Sequence, residues 1–138
     1  MIHSLKIGQL IYQRLSTDEA FVSRIGHSLP DSKKIFPIIA DNDTKFPVVL
    51  YTRQGVNPDR MTKDGFCQDT VTFQITVASD SYDESVEVAD MVRNLLEMKY
   101  MANEEISLTE TYMISCNESY NNETYIQQLL FTTKVKNV

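Results

Sequence analysis

The sequence predicts an α+β domain, a mainly antiparallel sheet of four to five strands with two longer helices packed on one face. Three patterns predict it. Ile7, Leu10, Ile11 and Leu15 keep the three-and-four spacing that places them on one side of a helix. Val71, Phe73, Ile75 and Val77 alternate with Thr70, Thr72, Gln74 and Thr76, so one face of that strand is buried and the other is polar. Such alternation belongs to an antiparallel sheet covered by helices on one side. Val88, Val92, Leu95 and Leu96, with Ala89, form a second helical stripe, and Asp90, Arg93 and Glu97 face outward.

The elements follow in order. The first helix covers residues 4–15. Thr17 or Asp18 then caps a short helical turn through Phe21, Val22 and Ile25, which Gly26 is placed to end. Ile35-Phe36-Pro37-Ile38-Ile39 reads as a short strand, and Pro37, with no N–H to donate, marks a sheet edge or a strand end. Residues 41–45 form a polar turn into a strand over 48–53, and the alternating strand covers 70–79. Ser81 and Glu84 have the spacing of a capping box, and Asp83 and Glu84 sit where the helix dipole favours acid, so the main packing helix starts there. Two further strands, 106–118 and 124–135, flank a turn at 119–123, where Asn121-Asn122 tolerates positive φ. Along the first, Ile106, Leu108, Tyr112, Ile114 and Cys116 share a face; along the second, Tyr125, Leu129, Phe131 and Val135 do.

A chain of 138 residues fits one domain, residues 1–138, with a single core. Thirteen Lys and Arg against nineteen Asp and Glu give a net charge of -6, with the basic residues scattered. Tight nucleic-acid binding rests on neutralised phosphates, so this balance argues against sequence-specific DNA or RNA recognition. It leaves room for an acidic wall past which DNA slides. The first fifteen residues interleave Lys6, Gln9, Gln13 and Arg14 with apolar residues, unlike a secretory signal. No apolar run approaches the roughly 18 to 20 residues that span a bilayer. Synthesis in the cytosol, with no membrane partner, is the expectation. Cys67 and Cys116 are far apart and outside any CxxC spacing, and are expected to be buried thiols.

The search for chemistry yields no catalytic, cofactor or metal site. His3, near a terminus, and His27, in a turn beside Gly26, stand alone, without metal-ligand spacing. Asp41-Asn42-Asp43 opens like a calcium loop, but Phe46 and Thr52 stand where Gly and Glu are needed, which leaves a polar turn. Asp83, Glu84, Glu87 and Asp90 read as a solvated helix face near the dipole's positive end. There is no Gly-rich phosphate loop and no GxSxG elbow, so an enzyme is disfavoured. The sequons at Asn117 and Asn122 are chance matches in a polar turn. Tyr100, Tyr112, Tyr120 and Tyr125 lack the interleaved Arg and Lys of a base-stacking surface, and read as sheet or interface tyrosines.

Residues 54–64 read as a long loop between two strands, with Arg53 at its base and Arg60, Lys63, Asp59 and Asp64 within it. Long loops on rigid scaffolds carry binding. The candidate interface residues are therefore Pro37 on the sheet edge, and Arg53, Arg60, Lys63 and Asp64 in and beside the loop.

The order of these pieces carries a resemblance. An initial helix precedes Ile35-Phe36-Pro37 and Phe46-Pro47-Val48-Val49-Leu50-Tyr51. Phe73-Gln74-Ile75 and Ser79-Asp80-Ser81-Tyr82 follow, ahead of a helix with Ala89-Asp90 and Val92-Arg93. Over nearly its whole length the chain resembles the small tail-completion, or tail-terminator, proteins of long-tailed bacteriophages and prophages. The resemblance implies a virion protein that ends tail-tube growth and joins tail to head as a ring, six-fold in related terminators. The implied partners are other copies of itself, the tail-tube protein and the head-tail connector protein. It brings no catalytic residue and no cofactor. Two alternatives stand beside it: a connector or minor tail protein of the same virion, and a cytosolic small-ligand-binding or hydrolytic α+β domain, which would need a deep pocket with buried titratable groups.

Overall fold

The computed structural model describes residues 2–29, 32–40, 44–62 and 65–138. A 3-10 turn, Ser4–Lys6, leads into α1 (Ile7–Ser16), and α2 (Glu19–Ile25) follows at once. Asp18 caps α2 by accepting a hydrogen bond from the Phe21 N–H, and Gly26 ends it at φ 79, in the left-handed region glycine enters freely. Three short strands come next: β1 (His27–Leu29), β2 (Ser32–Lys33) and β3 (Ile35–Pro37). Two long ones follow, β4 (Val48–Thr62) and β5 (Gly65–Ser79), then α3 (Tyr82–Leu96). The chain closes with β6 (Met101–Ala102), β7 (Ile106–Asn121) and β8 (Thr124–Asn137). His27, expected in a turn, lies in β1, which pairs with β2 as a separate two-stranded ribbon.

The main sheet has six strands in the order β3-β4-β5-β8-β7-β6, more than the four to five expected. Every pairing is antiparallel except β3 with β4. All three helices cover one face. Ile7, Leu10, Ile11 and Leu15 of α1 and Val88, Val92 and Leu96 of α3 share a core with Val71, Phe73, Ile75 and Val77 of β5 and with Leu129, Phe131 and Val135 of β8. Phe73 and Phe131, opposite each other in the ladder, stack at 5.2 Å. Among the described residues no helix is long and apolar enough to cross a membrane.

The expected loop at 54–64 is corrected. The β4–β5 ladder runs on through Asn57↔Thr70 and Asp59↔Gln68 to Thr62↔Gly65. β8 reaches only as far as Val135↔Asp69, so the end of this hairpin projects beyond the sheet. By strand rise that is about 10 to 15 Å. Gly55 and Pro58 fit within the strand because the ladder shifts register between Arg53 and Gly55 and again around Arg60. Lys63 and Asp64, like residues 41–43 of the turn expected over 41–45, lie outside the described residues.

The predicted buried face of 106–118 is also corrected. Ile106 and Leu108 point inward, but Glu110 takes φ 51 and the ladder slips between Thr109 and Tyr112, and again between Met113 and Ser115. Each slip reverses the strand's faces. Thr111 is therefore buried, while Tyr112 and Ile114 are exposed. Cys116 returns to the helical side opposite Leu129, yet it is exposed rather than buried, in an open groove beside α3. The Cys67 side chain lies outside the description. The β7–β8 turn is Asn122-Glu123, with φ 50 and 61, one residue later than expected.

Candidate assembly surface

The sheet's two edges differ in chemistry. At the first, β3 covers β4 only from Val49 to Tyr51. Ile38 N–H donates to the Tyr51 carbonyl at 3.0 Å, and Val49 N–H donates to the Lys34 carbonyl. Pro37 therefore sits where its backbone nitrogen faces away from the sheet, a device that blunts an edge against further pairing. Past Tyr51 the β4 edge carries Arg53, Pro58 and three register shifts, which act in the same sense. Arg53 is exposed, and its Nη1 donates to the Leu5 carbonyl at 2.8 Å, so it ties the 3-10 turn to the edge. Directly after Pro37, Ile38 turns the chain at φ 64. Ile38 and Ile39 stand 70% and 75% exposed.

The opposite edge is β7. β6 covers it only at Ser107 and Leu108. The residues after α3 cover two more groups, since Glu97 Oε2 accepts from Met113 N–H at 3.0 Å and Met98 N–H donates to the Thr111 carbonyl. That bond is the largest influence holding the Glu97 carboxyl below its ordinary range, with Arg93 assisting. From 114 to 121 no described strand lies beside β7. Asn121 and Thr124 flank a two-residue turn and form a hydrogen-bonded pair, so bonded and non-bonded pairs alternate back along the ladder. The backbone groups of Cys116, Glu118 and Tyr120 consequently point away from β8. Beyond the register shift at Ile114, residues 115–121 have no Pro, no Lys and no further bulge to protect them.

Between this edge and α3 lies a shallow groove of about 180 Å³, lined by Val86, Ala89, Met113, Cys116 and Leu129 with Asp90 and Arg93 at its sides. Its titratable side chains are exposed, which is not the deep polar pocket that a ligand-binding or hydrolytic domain would need. Burial nonetheless pushes the Cys116 thiol above its usual range.

Acid gathers along the start of α3. Ser81 Oγ accepts from Glu84 N–H at 3.4 Å, as the capping-box spacing predicts, but the return half of the box runs through a third residue. Ser81 N–H donates to Ser79 Oγ at 3.1 Å, and the Ser79 hydroxyl donates to Glu84 Oε1 at 2.6 Å. Ser79 lowers the Glu84 carboxyl most, against its desolvation, and Arg24 adds to the lowering. Arg24 bridges Glu84 at 3.1 Å and Glu87 at 2.8 Å, and those two carboxylates raise its own affinity for the proton, Glu87 first. Buried Lys34, lowered mainly by its burial, donates to the Lys45 carbonyl at 3.0 Å. At the foot of α3, Tyr82 donates to Glu118 at 2.9 Å and packs edge-on against Tyr125, which also meets Tyr120. The acidic run is thus a partly paired helix face, and among the described residues no cluster of three metal-ligating side chains occurs.

The sheet face away from the helices is open. Thr70, Thr72, Gln74 and Thr76 of β5 lie beside Gln128, Leu130 and Thr132 of β8, and its middle carries no charge. At its far end Asp59 accepts from Thr70 at 2.8 Å, Gln68 at 3.1 Å and Lys134 at 3.2 Å.

Of the residues singled out from sequence, Pro37 and Arg53 come together on one edge, since Pro37 pairs with Tyr51 two residues before Arg53. Arg60 lies farther along β4, opposite Phe66. Its side chain, with Lys63 and Asp64, lies outside the description. The open β7 edge and its groove were missed. Their one signal is a run of eight residues from 114 without Pro, Gly or Lys, and that becomes informative only once the strand order is known.

The model of the family described as Tail completion protein gp17 matches residues 9–134. The chain belongs to the tail completion protein gp17 family. It is therefore a phage tail completion protein, a structural component of the virion, in a family that is not one of enzymes. Among solved structures it is similar to a chain described as "Virion of native gene transfer agent (GTA) particle", at 14% identity over 96% of each chain and a TM-score of 0.77. A second solved structure, whose name states no function, is 12% identical over 99% of this chain and 97% of its own, with a TM-score of 0.65. At these identities the likeness shows a shared fold alone. No curated protein sequence matches.

Proposed function

We propose that this tail completion protein ends the tail tube at its head-proximal end and, as a ring of copies, presents the surface through which tail and head join. The observation that carries the proposal is the family match across residues 9–134. The structure adds support of a different kind. A ring needs a heterologous contact, in which one patch of each subunit meets a different patch of its neighbour. Here the two sheet edges are chemically unlike, one blunted by Pro37 and one open along β7. The similar chain from a gene transfer agent virion fits the same reading, as a component of a virion.

In this reading the tail-tube protein and the head-tail connector protein are the partners on the ring's two faces. Pro37, Arg53, Arg60, Lys63 and Asp64 form a contact zone along the β3–β4 edge and the projecting hairpin. The uncharged middle of the open sheet face suits a surface that lets DNA pass without holding it, because it offers no cation to phosphate.

The test is deletion of the gene from the phage or prophage that encodes it, with electron microscopy of the resulting lysate. Overlong or ragged tails separated from filled heads are the expected result. Normal-length tails left unjoined would assign it to the connector, and intact virions would overturn the proposal. In a complementation assay, Arg60→Glu with Lys63→Glu is expected to abolish tail joining while the chain still folds.

A further inference from the structure

The most exposed aliphatic pair in the described chain stands at the sheet edge opposite the groove between α3 and β7. Ile38 and Ile39 are 70% and 75% exposed on consecutive residues. Ile38 is held at φ 64, a conformation rare for a β-branched residue. Backbone bonds hold the turn, Ile38 N–H to the Tyr51 carbonyl and Ile39 N–H to the Pro37 carbonyl, while both side chains project into solvent with no packing to reward them. Apolar side chains held out on a strained backbone mark a contact made with another molecule.

The groove between α3 and β7 has the complementary character. Val86, Ala89, Met113 and Leu129 line it, its volume of about 180 Å³ suits an aliphatic side chain, and the backbone groups of Cys116, Glu118 and Tyr120 along its rim have no strand beside them. An extended segment laid along such a rim gains main-chain hydrogen bonds from the strand and side-chain burial from the groove. Charge agrees as well. Asp90 lines the groove beside Arg93, and Glu118 accepts from Gln127 of its lining, whereas Arg53 stands exposed two register positions from Pro37 on the edge that bears the isoleucines.

We propose that the occupant is a second copy of this chain: the segment 38–40 of one subunit lies along the β7 edge of the next, with Ile38 and Ile39 seated against its α3–β7 groove. Resting on the ring reading above, this supplies the head-to-tail contact that reading needs. The two patches lie on opposite edges of one sheet, so each subunit donates at one side and accepts at the other. Because Pro37 blunts the donor edge, the inserted piece is the segment that has turned out of the sheet, and the outer side of β3 takes no strand from the neighbour.

The experiment uses Cys116, which already stands in the groove. In a Cys67→Ser background, Ile39→Cys is introduced, purified particles are treated with a short bis-maleimide, and the chain is followed by denaturing electrophoresis. The expected result is a ladder of covalent multimers that disappears when Cys116→Ser is added. Chain present in the particles but monomeric after treatment would overturn this inference and leave the tail-completion role standing. Absence of the wild-type chain from the particles would overturn both. As a second readout, Ile38→Asp with Ile39→Asp changes only exposed side chains, so the protein should keep its melting temperature and lose incorporation into particles; normal incorporation would also overturn the proposal.

Discussion

Ser79→Ala isolates the relay that starts the main helix. Ser79 is fully buried, takes a hydrogen bond from Ser81 N–H at 3.1 Å and gives one to Glu84 Oε1 at 2.6 Å. A hydrogen bond to a charged acceptor contributes about 1.5 to 3 kcal/mol. Ser81 is exposed, so water can replace the second partner and little is added there. The expected loss is ~2 kcal/mol at neutral pH, by the same hydrogen-bond scale. For a domain of this size that lowers the melting temperature by roughly 6 to 8 °C. Urea titration should show a lower midpoint at an unchanged slope.

The pH dependence separates charge from packing. Ser79 is the largest influence lowering the Glu84 carboxyl. A carboxyl with a depressed folded pKa contributes stability above its unfolded value, near ~4.3, and that stability is lost as pH falls through the folded pKa. The difference between wild type and Ser79→Ala should therefore be full at neutral pH and shrink in acid. A loss under about 0.5 kcal/mol, within the ordinary scatter of surface substitutions, would refute the relay. A loss of the expected size that persists unchanged in strong acid would assign it to packing.

Three further predictions follow from particular residues. Phe131→Ala removes one ring of the fully buried Phe73–Phe131 stack and should cost about 3 to 5 kcal/mol in urea unfolding; a loss below about 1.5 kcal/mol would mean that the site collapses around the gap. Glu123→Gly relieves a turn residue held at φ 61 and creates the Asn-Gly pair that two-residue hairpins favour, so it should stabilise by about 1 kcal/mol, checked by thermal melting. With Cys67 replaced by Ser, alkylation of Cys116 should be slow at neutral pH and rise with pH beyond the usual thiol range, because burial holds the thiol up; iodoacetamide rates already saturated at neutral pH would contradict this.

Local elements were the legible ones. α2 was readable from Asp18 and Gly26, α3 from Ser81 and Glu84, and β5 from strict alternation, because each signal is set by residues within a few positions of one another. The hairpin beyond Gly55 was read as a loop because it projects past the sheet. With no core to face, Gln54, Asn57, Pro58 and Asp59 show no apolar alternation, although the ladder continues through them. The faces of β7 were misassigned after Leu108 because one residue, Glu110, takes positive φ and reverses the register, and nothing in its side chain announces that. Pro37 was legible as an edge residue from its missing N–H. The β7 edge was not, since whether a strand is an edge depends on the strand order, and the parallel β3–β4 pair and two-residue β6 that complete that order leave little local trace.

The measurement that tests the central claim most directly is a cryo-electron microscopy reconstruction of the neck of the particle this chain helps to build. The account predicts a closed ring of this fold between the last tail-tube ring and the head connector. Density for the chain elsewhere in the particle, or a neck whose rings all belong to other folds, would contradict it.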